Sequence, residues 1–160
     1  MIYLLGLTVA MCLAYVVLGF LFTMFFRNER PRPDHLSLAS VGYIAAASLL
    51  SYLVAFSVSD PALGNRLLHV LGGGFLAFFV CFLVVRDGRL AIGRLRFFVF
   101  SFLVVMALGV ANEMLEYVLQ NYAGFLFAAD PNDTWLDLMC NVAGALIGGA
   151  CFTPLVRAPR

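Results

Sequence analysis

The sequence predicts an all-α, polytopic integral membrane protein built as a five-helix transmembrane bundle. Composition is the first observation: of 160 residues, 63% are hydrophobic and 12% are charged, and the mean hydropathy is +0.98. A soluble domain of this size does not need so much apolar surface. The second observation is that several apolar segments reach the roughly 20 residues that a helix needs to cross a bilayer.

Five segments meet that length and leave little of the chain outside the membrane. We predict a single transmembrane domain, 1–160, with spans over residues 2–26, 36–58, 67–85, 97–119 and 136–155. The first segment lacks the basic start and the small-residue cleavage site of a signal peptide, so we expect it to remain as a span. A transmembrane β-barrel would need alternating apolar and polar residues, which these runs do not show.

The basic residues predict the orientation. All ten are arginines, and nine lie on one side of the predicted membrane: Arg27, Arg30, Arg32, Arg86, Arg89, Arg94, Arg96, Arg157 and Arg160. Only Arg66 lies on the other side. Because basic residues of short loops stay in the cytoplasm, we expect an external N-terminus and a cytoplasmic C-terminus.

The cysteines and the net charge give no indication of CxxC-type cysteine chemistry or of nucleic acid binding. The four cysteines lie within predicted spans without CxxC spacing, so we expect them to pack in the apolar interior: Cys12, Cys81, Cys140 and Cys151. The net charge of +1 gives no reason to expect a nucleic acid partner.

Seven polar residues recur at helical spacing near one end of the last three spans. They are Arg66 and His69 at the third span, Glu113 and Glu116 in the fourth, and Asp133, Asp137 and Asn141 in the fifth. Each stripe continues into glycine, and small residues let helices approach closely in a bilayer. We therefore expect a polar pocket open to the outside, in which Glu113 and Asn141 lie about one turn deeper than Glu116 and Asp137.

This pocket has too little positive charge. Six acidic residues lie on its side of the membrane: Asp60, Glu113, Glu116, Asp130, Asp133 and Asp137. Only Arg66 and His69 oppose them. Buried carboxylates without counter-charge must be protonated or neutralised by a bound cation or a cationic ligand. Carboxylates and imidazole together suit a divalent cation, and the candidate ligands are Glu113, Glu116, His69 and Asp137.

Three sequence motifs resemble a known family. They are NRLLHVLGGG (65–74), NEMLEY (112–117) and DTWLDLMCNVAGALIGG (133–149). Their ordered combination is similar to the VanZ-like superfamily, and it is closest to the bacterial inner-membrane proteins of the YjdF type. The resemblance implies a compact multi-helix fold whose polar motif residues converge on one side. Glu116 and Asp133 replace a glutamine and a basic residue of VanZ itself, which makes the pocket more acidic.

Three functions fit these observations. The first is a site that binds or processes an envelope ligand, such as a lipid head group or a cell-wall precursor. Its candidate catalytic residues are Glu113, Glu116, His69 and Asp137, and its ligand-binding residues are Arg66, Asp133 and Asn141. The second is an accessory or scaffold subunit of a larger membrane complex with a membrane-protein partner. The third is a proton- or cation-coupled carrier. A purely structural role for the polar residues, as hydrogen-bonded contacts between helices, also stays open.

Overall fold

The computed structural model describes residues 2–27, 36–125 and 131–156, and these residues are almost entirely helical. The elements are α1 (Ile2–Arg27), α2 (Leu38–Phe56), α3 (Pro61–Leu68), a π-helical segment (His69–Leu76), α4 (Ala77–Asp87), α5 (Arg94–Ala123), α6 (Pro131–Phe152) and a 3₁₀ turn (Thr153–Leu155). The three elements from Pro61 to Asp87 run on as one helix, which we call the central helix. Within the described residues, five helices are long and apolar enough to cross a membrane, which confirms the predicted fold class.

The central helix starts earlier than the predicted span at residue 67. Asp60 caps it, since its carboxylate accepts a hydrogen bond from the Ala62 N–H at 2.9 Å. Pro61 occupies the first helical position, where its missing N–H costs nothing. This early start places Arg66 within the helix and not in the preceding loop.

The central helix is the most buried of the five. Its second half carries much of the apolar core, including Phe78, Val80, Cys81 and Leu83. Residues from the other helices close around it: Tyr15, Phe22, Ile44, Phe97, Val105 and Ala145. Large apolar side chains cover the outer faces of α1, α2, α5 and α6, as expected for helices that contact lipid.

The π-helical segment packs on α6 more extensively than any other pair of described elements. Glycines permit this approach, because a Cβ at Gly74 would clash with the Gly144 Cα and with the backbone of Asn141. A Cβ at Gly144 would in turn clash with the Val70 carbonyl oxygen. The two backbones therefore lie in direct contact, as small residues allow between membrane helices.

A second polar cluster joins three helices at the far end of the central helix. The carboxylate of Asp87 accepts hydrogen bonds from the Tyr15 hydroxyl of α1 (2.6 Å) and from the Ser40 hydroxyl of α2. Arg86 donates to Asp87 (2.9 Å) and to the Ser40 hydroxyl (2.8 Å). The Tyr15 hydroxyl also accepts the Ser37 N–H at 2.9 Å. Sequence analysis did not find this cluster, because Asp87 looks like one more loop residue beside an arginine.

Replacing Gly144 with alanine should destabilise the bundle. The added methyl group meets backbone atoms of the π-helical segment that cannot move aside, so we expect a loss of about 1–3 kcal/mol or more in the free energy of unfolding. Unfolding in mixed micelles measures it. Gly42→Ala is the control, because a Cβ at that position meets nothing within 4 Å. This substitution should leave the stability unchanged or raise it by at most about 1 kcal/mol, since alanine favours a helix more than glycine does. Equal stability of the two variants would contradict the packing described.

Replacing Tyr15 with phenylalanine should also cost stability. The change removes the donor to Asp87 and the acceptor of the Ser37 N–H, and we expect a loss of about 1–3 kcal/mol. Tyr43→Phe is the matched control at the same end of the molecule. Its exposed ring keeps its position under the Arg86 guanidinium (5.7 Å), so its effect should stay within about 0.5 kcal/mol. The same unfolding measurement compares the two, and a neutral Tyr15 variant would show that the Asp87 cluster contributes little.

Candidate functional site

Three helices bring three ionisable side chains together in what we call the His–Glu–Asp cluster. His69 begins the π-helical segment, Glu113 lies on α5 and Asp137 lies on α6. One nitrogen or oxygen from each residue lies within 4.8 Å of the others. Glu113 is 8% exposed and Asp137 is 3% exposed, so the cluster is enclosed by the bundle and not spread over its surface.

Asp137 is held from two sides. Its Oδ2 lies 3.2 Å from His69 Nε2. The side-chain amide of Asn65, one turn before His69, donates to both oxygens of the carboxylate, at 3.2 and 3.1 Å. A carboxylate with this many donors is fixed in position, and it can in turn fix the imidazole ring beside it.

Glu113 is placed differently. Its Oε1 lies 4.0 Å from His69 Nδ1, too far for a direct hydrogen bond. This oxygen is buried and has no hydrogen-bond partner in the described part of the chain. His69 therefore stands between two carboxylates, one close to Nε2 and the other farther away on the side of Nδ1.

Asn141 lies one turn beyond Asp137 on α6 and forms the floor of the cluster. Its side chain fits between two glycines: a Cβ at Gly73 would clash with Asn141 Oδ1, and one at Gly109 would lie 3.0 Å from Asn141 Nδ2. Gly73 is one turn from His69 and Gly109 is one turn from Glu113. Asn141 is only 2% exposed, and its Oδ1 also lacks a hydrogen-bond partner among the described residues.

The other three predicted site residues lie outside the cluster. Glu116 is half-buried and accepts a hydrogen bond from Asn112 at 2.7 Å, one turn away on α5. Asp133 is half-buried in the first turn of α6, where a negative charge favours the helix dipole. Arg66 is exposed, and none of the ion pairs between described residues includes it.

The one-turn difference in depth between Glu113 and Asp137 stays a prediction, since the finding that their oxygens lie within 4.8 Å of each other gives no depth. One detail differs from the sequence-based expectation. Asn65 was not expected in the site at all, although it lies four residues before His69 and the helical repeat therefore allows it on the same face. Arg66, the next residue along the chain, was predicted in the site because it is charged.

This arrangement can do two kinds of chemistry. A histidine oriented by a carboxylate can accept or donate a proton, and Glu113 provides a second basic group beside it. The same three side chains can also donate one ligand atom each to a cation. The described part of the site contains no serine or cysteine nucleophile in contact with His69, so a covalent mechanism of the Ser–His type has no support here.

Comparison with known proteins gives one match. The family described as "Predicted membrane protein (DUF2238)" matches residues 7–157, nearly the whole chain. No curated protein and no solved structure matches the chain.

Replacing Asp137 with asparagine should destabilise metal-free protein. Both oxygens of Asp137 have partners, and an asparagine would turn one of them into a donor facing the Asn65 amide. We expect a loss of about 1.5–3 kcal/mol, as for hydrogen bonds to charged groups, measured by unfolding in mixed micelles with a chelator present.

Two isosteric variants are the controls for this prediction. Glu116→Gln keeps an oxygen that can accept from Asn112 and should stay within about 0.5 kcal/mol of the wild type. Glu113→Gln removes a buried charge whose Oε1 has no donor, so it should cost less than Asp137→Asn or stabilise the protein. If Asp137→Asn were as stable as the wild type, the contacts of Asp137 with Asn65 and His69 would not contribute to the fold.

Proposed function

The chain belongs to the DUF2238 family of predicted membrane proteins, and from that premise we propose that its His–Glu–Asp cluster binds or processes an envelope-associated ligand, such as a lipid head group or a cell-wall precursor. This family is the YjdF type that the sequence motifs resemble. We extend the proposal to a relationship with the VanZ-like superfamily, which is supported by the motifs between residues 65 and 149 alone.

The buried Oε1 of Glu113, which has no hydrogen-bond donor among the described residues, is the observation that carries the proposal. Ionisable side chains inside a membrane bundle are costly, and they are normally paired unless they serve a site. A buried carboxylate that only holds helices together can be satisfied within the chain, as the carboxylate of Asp87 is. Glu113 instead keeps a buried oxygen without a donor beside a histidine that Asp137 fixes.

We place this site at the outer surface of a bacterial inner membrane, with the C-terminus in the cytoplasm. The described arginines support this orientation, because most lie at the end of the bundle remote from His69. They are Arg27, Arg86, Arg89, Arg94 and Arg96. Arg30, Arg32, Arg157 and Arg160 lie outside the described residues. A cytoplasmic location of the arginine-rich end puts the cluster on the opposite side.

Each residue then has a role in this proposal. His69 exchanges a proton with the ligand, Asp137 orients its ring, and Glu113 acts as a second base or as a cation ligand. Arg66, Glu116 and Asp133 lie nearer the surface, where they can contact a polar head group. Asn141 sets the depth of the pocket.

The two other candidate functions have less support. A coupled carrier needs groups that lead from the cluster to the opposite surface. Between the cluster and the Asp87 end, the described interior offers the hydroxyls of Ser48, Ser51 and Ser101 but no Asp, Glu, His, Lys or Arg side chain. For a scaffold subunit, the exposed apolar faces are explained by lipid contact, and no further feature of the described surface favours a protein partner.

Ligand retention tests the proposal. The wild type and Glu113→Gln would be purified in a mild detergent and compared by native mass spectrometry, then reconstituted in nanodiscs of phosphatidylethanolamine or phosphatidylglycerol. We expect the wild type to carry a bound lipid or precursor that Glu113→Gln loses while it remains folded and monodisperse. Ser48→Ala, a buried hydroxyl away from the cluster, should retain it. Identical bound molecules in the wild type and in Glu113→Gln would contradict the proposal.

A further inference from the structure

We propose that the His–Glu–Asp cluster is a binding site for one divalent transition-metal ion, with His69, Glu113 and Asp137 as ligands. This inference rests on the proposed function, because it names the cation through which the same site would hold its ligand. With the ion bound, His69 and Asp137 act as metal ligands in place of the proton-exchanging and ring-orienting roles given above. It also narrows the set predicted from sequence, since Glu116 is no longer among the metal ligands.

The geometry fits an ion of this kind. Ligand atoms at about 2.0–2.2 Å from a metal lie about 3–3.5 Å from one another. His69 Nε2 and Asp137 Oδ2, at 3.2 Å, are already at that separation. The third ligand atom, from Glu113, lies within 4.8 Å of the other two. Its Oε1 now lies 4.0 Å from His69 Nδ1, so a rotation of the Glu113 side chain toward Nε2 would complete the set of three ligands. Glu116 instead accepts a hydrogen bond from Asn112, away from this group.

Unsatisfied oxygens give an independent reason for a cation. Two buried acceptors at this place have no donor among the described residues, Glu113 Oε1 and Asn141 Oδ1. Asn141 lies between Gly73 and Gly109, which are one turn from His69 and from Glu113. Buried oxygens without donors are costly, and a cation bound at the cluster would satisfy the Oε1 of Glu113.

The ligand types favour a particular class of ion. Imidazole nitrogen with two carboxylates suits Zn²⁺, Mn²⁺, Fe²⁺ or Co²⁺, whereas Mg²⁺ and Ca²⁺ prefer oxygen ligands alone. Three protein ligands leave coordination positions open, which is the arrangement of sites that act on a substrate and not of structural sites. An envelope ligand could occupy such a position. Asn65 holds Asp137 in place and would act as a positioning residue.

A proton is the competing occupant. A protonated His69 would carry an N–H toward each carboxylate and would neutralise part of their charge without a metal. The metal-bound and the protonated cluster can be told apart. Replacing a ligand residue removes a bound metal, whereas a cluster that holds only a proton contains no metal in the wild type either. The experiment therefore has to measure metal directly.

The test uses full-length protein carrying a tag without histidines, purified in detergent without chelator. Metal content by mass spectrometry would be measured for the wild type, Glu113→Gln, His69→Gln and the control Glu116→Gln. Each protein would then be stripped, titrated with Zn²⁺ and with Co²⁺, and followed by thermal stability and by the visible absorption of Co²⁺. We expect about one ion per chain in the wild type and in Glu116→Gln, and less than about a tenth of that in the other two.

Each outcome has a clear meaning. The metal site is supported if Glu113→Gln and His69→Gln lose the ion. It is supported further if Zn²⁺ raises the melting temperature of the wild type and of Glu116→Gln but not that of the other two variants. Loss in Glu116→Gln as well would overturn the three-residue ligand set. A wild type that binds neither Zn²⁺ nor Co²⁺ would overturn the inference. The proposed function would still stand in that case if Glu113→Gln alone lost the bound lipid or precursor.

Discussion

The close approach of the central helix to α6 is the constraint on which the rest of the structure depends. Gly74 and Gly144 bring the two backbones into contact, and no side chain larger than hydrogen fits at either position. Asn141 and Asp137 lie one and two turns from this contact on α6, and His69 lies about one turn from it on the central helix. The same packing that holds the bundle together therefore brings the imidazole and the carboxylate within 3.2 Å.

The two polar clusters differ in how far their buried carboxylates are hydrogen-bonded within the chain. At the arginine-rich end, Asp87 receives hydrogen bonds from Tyr15, Ser40 and Arg86, so the cluster is complete within the chain. At the other end, the described residues include five carboxylates but only one histidine and one exposed arginine, and two buried oxygens remain without donors. Since an incomplete buried network is costly, the second cluster is the one that requires something from outside the chain.

Much of this organisation follows from the sequence. Five long apolar segments predict five helices because every backbone polar group must be satisfied within the bilayer. Glu113 and Asp137 could be assigned to one site because each repeats with a small residue at helical spacing. The Asp87 cluster could not be predicted in this way, because its partners come from three helices and depend on how those helices pack. The start of the central helix at Pro61 lies before the predicted span, because that span was taken from the apolar run alone and not from the Asp60 cap and Pro61 that precede it.

The choice of Asn65 over Arg66 follows from ordinary α-helical geometry, because both residues lie in α3, before the π-helical segment begins at His69. On an α-helix, a residue four positions before another is offset from it by about 40°, and a residue three positions before it by about 60° in the opposite direction. Asn65 lies on the side of His69 that faces Asp137, whereas Arg66, on the other side, is exposed. Three consecutive glycines, 72–74, weaken the preference for an ordinary α-helix in the segment that follows and are the sequence feature that permits its wider turn. π-Helical turns are frequent at functional sites, and here the wider turns begin at the residue that carries the imidazole and contain the glycines that contact α6.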